Sequence, residues 1–224
     1  LSGLDILFEP GMTQQYQLSA SGGTEAFNYS FSGSMREAEG TLVAGGNDQV
    51  RHNLRASFGA DLSELVTFNT TFGFTSSEFD RKSNANFSGG ILDIESGAFG
   101  DPTTWDNEEY QDQKEFINNY IGLQNVTEDV KRFQTSNSLN FTFNDNLTAK
   151  ALVGLDYRSS GQTLVETNAY YIARGFVAPG TNDQGYMTEQ DRNYLGITIE
   201  ASGQHRFDTD NFSFVTNFGG QLFR

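Results

Sequence analysis

Two runs of strictly alternating residues, joined by a short glycine-rich link, constrain this chain more than any other feature. In 13–22, Tyr16 and Leu18 alternate with glutamine and serine, and in 26–36 aromatic residues alternate with serine and asparagine. A period of two places successive side chains on opposite faces of a β-strand. The Gly-Gly-Thr-Glu link between the runs is typical of a hairpin. The stretch predicts two antiparallel strands with one aromatic face and one small, polar face.

The same alternation recurs along the chain and predicts eight strands. They cover 13–22, 26–36, 50–60, 65–77, 134–144, 147–160, 191–207 and 212–223. The short connections are 22–25, 61–64, 144–146 and 208–211, and the long ones are 37–49, 78–133 and 161–190. Short turns on one side and long extracellular loops on the other are typical of outer-membrane β-barrels. We therefore predict an all-β, antiparallel transmembrane barrel architecture.

The composition agrees with a barrel and excludes several other classes. The 224 residues include 20 phenylalanines and 24 glycines, but only three prolines and no cysteine. A disulfide framework and a cysteine-based metal site are therefore excluded. The net charge of −15 argues against a nucleic-acid partner, since lysine and arginine drive binding to phosphates. No run of about 18 apolar residues occurs, so no transmembrane helix is expected, whereas a barrel strand would give no such signal.

The order of the turns predicts an internal part of a larger barrel. A short turn follows the first strand and another precedes the last, so both ends of the chain lie on the long-loop side. A complete barrel of this kind begins and ends on the periplasmic side. One alternative is a self-contained eight-stranded outer-membrane barrel. Another is a soluble extracellular β-sandwich that acts in adhesion.

The long connection 78–133 contains an acidic cluster. Its members are Asp101, Asp106, Glu108, Glu109 and Asp112. Their spacing does not match a calcium-binding EF-hand loop, so a solvated acidic loop without a metal is expected. Within the connection, near-helical spacing of Glu109, Phe116 and Tyr120 predicts a short amphipathic helix over 106–120.

Five aromatic residues of the two longest connections are the candidate binding residues. They are Trp105, Tyr110, Tyr170, Tyr171 and Tyr186. Aromatic side chains are enriched at interfaces, so these rings are expected to stack on a sugar cargo or to contact a lid protein. The alternative is packing among the loops themselves. Asp80, Arg81 and Arg192 are interpreted as ordinary surface charges. No Gly-x-Ser-x-Gly or His-Glu-x-x-His motif occurs, so neither an enzyme nor a cofactor is expected.

Several motifs resemble the early barrel of SusC/RagA-type TonB-linked outer-membrane proteins. They are Leu4-Asp5-Ile6-Leu7-Phe8, Gln15-Tyr16-Gln17-Leu18-Ser19-Ala20-Ser21-Gly22-Gly23, Asn28-Tyr29, Gly33, Glu39-Gly40, Arg51 and Leu54-Arg55. The later runs Tyr170-Tyr171, Gly185-Tyr186 and Arg192-Asn193 resemble the middle of that barrel. The resemblance is specific over 4–60 and loose over 134–224, and it does not extend to 78–133.

This resemblance implies a barrel of about 22 strands with an N-terminal plug, energised through TonB. Residues 1–224 would be a partial TonB-dependent receptor barrel domain that lacks the plug and the remaining strands. The family imports large nutrients, often glycans or peptides, with a SusD-like lipoprotein as a lid. The implied partners are outer-membrane lipid, the lid lipoprotein, the cargo, and the TonB complex through the missing N-terminal part. The implied location is the outer membrane of a Gram-negative bacterium.

Overall fold

The computed structural model of the chain describes residues 7–43, 46–82, 106–173, 176–182 and 184–224. The strands are β1 (Thr13–Gly23), β2 (Phe27–Ala38), β3 (Gln49–Ser63), β4 (Val66–Arg81), β5 (Gln124–Asn144), β6 (Leu147–Glu166), β7 (Tyr186–Asp208) and β8 (Ser213–Phe223). Two described helices lie in the long connections: α1 (Asn107–Gly122) precedes β5, and α2 (Asn168–Ala173) precedes β7. No described helix is long and apolar enough to cross a membrane.

All eight strands form one antiparallel sheet, in which each strand pairs with its neighbours in the sequence. This order confirms the predicted all-β, eight-stranded fold. Among the described residues, β1 pairs only with β2 and β8 only with β7, so the sheet is open. A self-contained eight-stranded barrel would need β1 to pair with β8.

The strands extend further at the long-loop end of the sheet than the alternation predicts. The extended ends are Arg81 of β4, Gln124 of β5, Glu166 of β6 and Tyr186 of β7. The predicted connections 78–133 and 161–190 therefore shorten to 82–123 and 167–185. The predicted boundaries were wrong because polar and apolar side chains alternate only where the two faces of a strand meet different environments. Backbone hydrogen bonds between strands do not need that alternation, so the strands continue beyond it.

Helix α1 confirms the predicted helix and shows how it begins, while its amphipathic character stays a prediction because the side chains of Phe116 and Tyr120 lie outside the described residues. Asp106 Oδ1 accepts hydrogen bonds from the backbone N–H groups of Glu108 (3.0 Å) and Glu109 (2.9 Å). The Glu109 carboxylate accepts one in return from the Asp106 backbone N–H, at 3.1 Å. This reciprocal arrangement is a capping box, and Glu108 and Glu109 also face the positive end of the helix dipole. These three acidic residues therefore start a helix and do not belong to an irregular loop.

The register gives the sheet two chemically different faces. One row across the sheet consists of Phe31, Ala56 and Phe72, and the adjacent row consists of Ser32, Arg55, Gly73, Gln134 and Asp156. Directly opposed residues share a face, so we call the side of Phe31 the apolar face and the side of Arg55 the polar face. Leu54 is 60% exposed and Phe74 is 40% exposed. The apolar face is therefore largely uncovered.

The buried apolar side chains of the described residues lie in the segment before β1, in the long connections and near the start of β5. Leu7, Leu42 and Val43 are at most 1% exposed. The Val43 N–H donates to the Leu7 carbonyl at 3.0 Å, so the segment before β1 and the β2–β3 connection form one small lobe. The remaining buried apolar residues are Tyr110, Val126 and Tyr170. A single sheet has no interior of its own, which explains why the core lies under the loops.

Candidate functional site

The five aromatic residues predicted to bind cargo or a lid lie in different environments. Trp105 lies outside the described residues. Tyr110 on α1 and Tyr170 on α2 are buried, with 6% and 3% of their surfaces exposed. Tyr186, the first residue of β7, is 49% exposed. Among the four described rings, Tyr186 therefore presents the largest exposed fraction to a ligand, and its role stays a prediction.

Tyr170 and Tyr171 pack within the β6–β7 connection. Their ring centroids are 5.9 Å apart in an edge-to-face arrangement, and Tyr171 lies 6.2 Å from the ring of Phe176. The Asn168 side chain holds the same connection together, because its amide donates to the Thr181 carbonyl and its oxygen accepts from the Gln184 N–H at 3.2 Å. For Tyr170 and Tyr171, these contacts match the alternative of packing among the loops.

A polar chain of contacts links the two longest connections at the long-loop end. The Lys82 ammonium donates to the Gln124 carbonyl at 2.9 Å and to Asn125 Oδ1 at 3.1 Å. The Gln124 side-chain amide donates to Glu166 Oε1 at 2.9 Å, and the Tyr171 hydroxyl donates to Glu166 Oε2 at 3.0 Å. Glu166 thus bridges strand β5 and helix α2, and it fixes the loops relative to the sheet.

Two residues of this polar chain of contacts, Lys82 and Tyr171, have shifted pKa values. Burial lowers the pKa of the Lys82 ammonium, and the nearby carboxylates of Asp80 and Asp48 oppose that shift. Burial raises the pKa of the Tyr171 hydroxyl, and its hydrogen bond to the Glu166 carboxylate raises it further. Burial is the largest cause of both shifts.

The polar face carries an unexpected concentration of positive charge near the long-loop end. Seven of the nine arginines that the structure describes lie there, on six strands: Arg36, Arg51, Arg55, Arg81, Arg132, Arg158 and Arg192. Register places six of them, all except Arg81, in three adjacent rows of the polar face. Arg36 lies opposite Arg51, and Arg132 lies opposite Arg158. The sequence interpretation of Arg81 and Arg192 as ordinary surface charges missed this grouping.

Two carboxylates on this face are already paired. Asp156 accepts two hydrogen bonds from the Arg132 guanidinium, one of them from Nε at 2.8 Å, and Glu128 lies 3.4 Å from the Arg81 guanidinium. In the part of the chain that the structure describes, Arg158 and Arg192 form no ion pair. Positive charge therefore exceeds negative charge on this part of the face.

A depression of about 430 Å³ lies within the arginine-rich region. Arg132, Arg158 and Arg192 line it together with Tyr194 and the two paired carboxylates, Glu128 and Asp156. Arg132 on β5 lies directly opposite Arg158 on β6, whereas Arg192 on β7 lies opposite Ser160, two positions along β6 from Arg158. This depression is called the arginine site below.

Metal ligation finds no support in the described residues. No group of three or more histidine, cysteine, aspartate or glutamate side chains there is arranged to hold a metal ion. Of the predicted acidic cluster, Asp101 lies outside the described residues, and Asp106 and Glu109 are engaged in the cap of α1.

An open antiparallel sheet with one apolar face, one polar face and all long connections at one end has the architecture of a β-barrel wall. Solved structures with this architecture match nearly the whole chain. The RagAB peptide transporter matches 98% of this chain with a TM-score of 0.74 and 14% identity. The RagAB peptide importer matches with TM-scores of 0.73 in its open-open state and 0.68 in its closed-closed state, both at 14% identity over 98% and 99% of this chain.

The match covers 25% of the transporter chain, and 25% and 26% of the importer chains in the open-open and closed-closed states. The chain thus spans about a quarter of the length of these relatives. At this identity the similarity shows the fold alone. No family model and no curated protein sequence matches the chain.

Proposed function

We propose that this chain forms part of the wall and external loops of a TonB-dependent outer-membrane importer of the SusC/RagA type, which takes up large nutrients. Residues 1–224 are then a partial barrel domain, and the connections 82–123 and 167–185 are extracellular. The plug and the remaining strands belong to the rest of such a protein. The role is transport, without an enzymatic activity of its own.

The observation that carries this proposal is the match of nearly the whole open sheet to a quarter of a transporter chain. Strands β1 and β8 each leave one edge without a partner among the described residues. Unpaired strand edges are costly and prone to association, so proteins cover them or close the sheet. Further strands of a larger barrel would satisfy both edges.

The two faces support a membrane location. A soluble protein rarely leaves a large apolar patch uncovered, and here the apolar face spans the sheet. Lipid would cover it, whereas the polar face with Arg55 and Asp156 would line a wet interior. The long connections would then face the outside of the cell and the short turns the periplasm.

The cargo and lid assignments concern the long-loop end. We favour peptides over glycans as cargo, because the solved structures with this fold are described as peptide transporters. Tyr186 is our main candidate for contact with cargo or a SusD-like lid, since it is exposed and register places it on the polar face. Trp105, Tyr110, Tyr170 and Tyr171 complete the proposed set.

Uptake by cells tests the proposal. Native cells supplied with a labelled peptide mixture are compared with cells that lack this protein, cells that lack TonB, and cells in which the protein has been restored. We expect uptake to be lost in the first two strains and to return in the third. Uptake that persists without TonB would contradict the TonB-dependent assignment, and uptake that persists without this protein would contradict the import role.

A further inference from the structure

The polar face differs from the rest of the chain in the sign of its charge. The chain as a whole carries a net charge of −15, yet seven of the nine described arginines lie on this face, near one end. A protein with such an overall charge repels anions from most of its surface. The local excess of arginine on the polar face therefore suggests that this face contacts an anionic ligand.

The arginine site shows the geometry of carboxylate recognition within the chain itself. Arg132 Nε donates to Asp156 Oδ1 at 2.8 Å, while its Nη2 donates to Asp156 Oδ2. Such a two-point contact is the arrangement in which a planar guanidinium binds a carboxylate best. Arg158 lies directly opposite Arg132 on β6 and Arg192 lies two residues before Tyr194 on β7, and both guanidinium groups lack an ion-pair partner among the described residues.

The backbone also leaves room for a ligand there. Gly196 lies directly opposite Asp156, and the ring of Tyr194 lies over it, so that a Cβ at position 196 would come within 2.8 Å of the Tyr194 hydroxyl oxygen. The ring therefore lies along the sheet and does not stand up into the depression. The result is an open site with a flat aromatic side and two guanidinium groups that form no ion pair among the described residues, although Arg192 Nη2 donates to Gln190 Oε1 at 3.3 Å.

We propose that the arginine site binds carboxylate side chains of acidic peptides. The proposal rests on the proposed import function, because only that function brings peptides to this face. Two unpaired guanidinium groups on neighbouring strands suit two carboxylates of one extended peptide, whose alternate side chains point the same way. The volume of about 430 Å³ is that of a small-ligand site and accommodates a few residues.

Matched peptides in binding assays with the purified full-length protein test this proposal. The probes are a fluorescein-labelled Ser-Glu hexapeptide and the corresponding Ser-Gln hexapeptide. We expect the acidic peptide to bind about tenfold more tightly at low salt, a difference typical of charge-assisted hydrogen bonds. The preference should be lost in the double variant R158Q/R192Q and partly kept in R158K/R192K, which retains the charge but not the fork.

R206Q is the matched control. Arg206 lies on the same strand near the opposite end, where it pairs with Asp208 at 2.8 Å, and its substitution should leave the preference unchanged. Equal binding of the two peptides by the unchanged protein would overturn the proposal, as would a preference that survives in R158Q/R192Q. If that variant does not fold, a salt titration of the unchanged protein decides, because screening must reduce the preference.

Failure of this inference is distinguishable from failure of the import function. Equal uptake of the acidic and neutral hexapeptides by cells, dependent on TonB, would overturn the acidic preference and leave import intact. A binding preference without any TonB-dependent uptake would uphold the arginine site and contradict import.

Discussion

Single side chains decide how the loops of this chain are anchored to its sheet. Asp106 caps α1, and Glu166 accepts hydrogen bonds from both Gln124 and Tyr171. Both carboxylates accept hydrogen bonds from nearby groups, and composition alone does not reveal these donors. From the sequence, Asp106 was interpreted as a member of an acidic cluster and not as a helix cap. An aspartate is favoured at a helix N-terminus because it accepts hydrogen bonds from the free N–H groups and because its charge opposes the helix dipole.

Substitution of the cap should loosen α1. We expect Asp106→Ala to cost the helix about 1 kcal/mol, because the N–H groups of Glu108 and Glu109 lose their acceptor. Hydrogen exchange of the α1 amides should accelerate roughly fivefold, which corresponds to that free energy. Asp112→Ala is the control, because Asp112 is exposed beyond the cap. Equal exchange rates in the two variants would contradict the role of the cap.

Alkaline pH should release the packing around Tyr171. The pKa of its hydroxyl is raised in the folded protein, chiefly by burial, so its contribution to stability is complete below the ordinary tyrosine value of about 10. That contribution is lost as the pH rises through the higher folded-state value. The difference in phenolate absorbance between the unchanged protein and Tyr171→Phe should show one late-titrating group. A difference that titrates at the ordinary tyrosine pKa would contradict this account.

For whole strands, the sequence predicted the segments in which polar and apolar side chains alternate, and it missed the strand extensions that lack this alternation. The eight strands and the four short turns followed from alternation, because different environments on the two faces of a strand select different side chains. The extension of β5 back to Gln124 did not, since its residues Thr127, Glu128 and Asp129 are polar on both faces. Arg132 lay outside the predicted strand for the same reason, so its register with Arg158 could not be predicted.

The pairing of β4 with β5 contains a polar contact on the apolar face. Thr70 is 7% exposed, and its hydroxyl donates to Asn137 Oδ1 at 2.7 Å. Thr70→Val should leave that amide oxygen without a donor in an apolar setting and destabilise the protein by about 1–3 kcal/mol. Urea unfolding in detergent measures the change.

The double variant T70V/N137L is the matched comparison. It removes both polar partners, so its stability should lie closer to that of the unchanged protein than that of Thr70→Val does. If the second substitution adds its own full penalty, the hydrogen bond between Thr70 and Asn137 does not stabilise the pairing.

For the chain as a whole, the central claim is that the two faces of one sheet meet different solvents. The open edges, the uncovered apolar face and the match to a quarter of a transporter chain all support a wall between lipid and a wet interior. The candidate site was only partly predictable from sequence. Tyr186 was identified from composition and position, whereas the arginine site depends on register across β5, β6 and β7.

Cysteine labelling in native membranes tests this claim most directly. Residues 1–224 contain no cysteine, so a single cysteine at Thr71 or Phe72 reports one face each of the same strand. With a water-soluble maleimide, we predict that Thr71→Cys is labelled and that Phe72→Cys is labelled only after denaturation. Equal labelling of both variants in intact membranes would contradict the account.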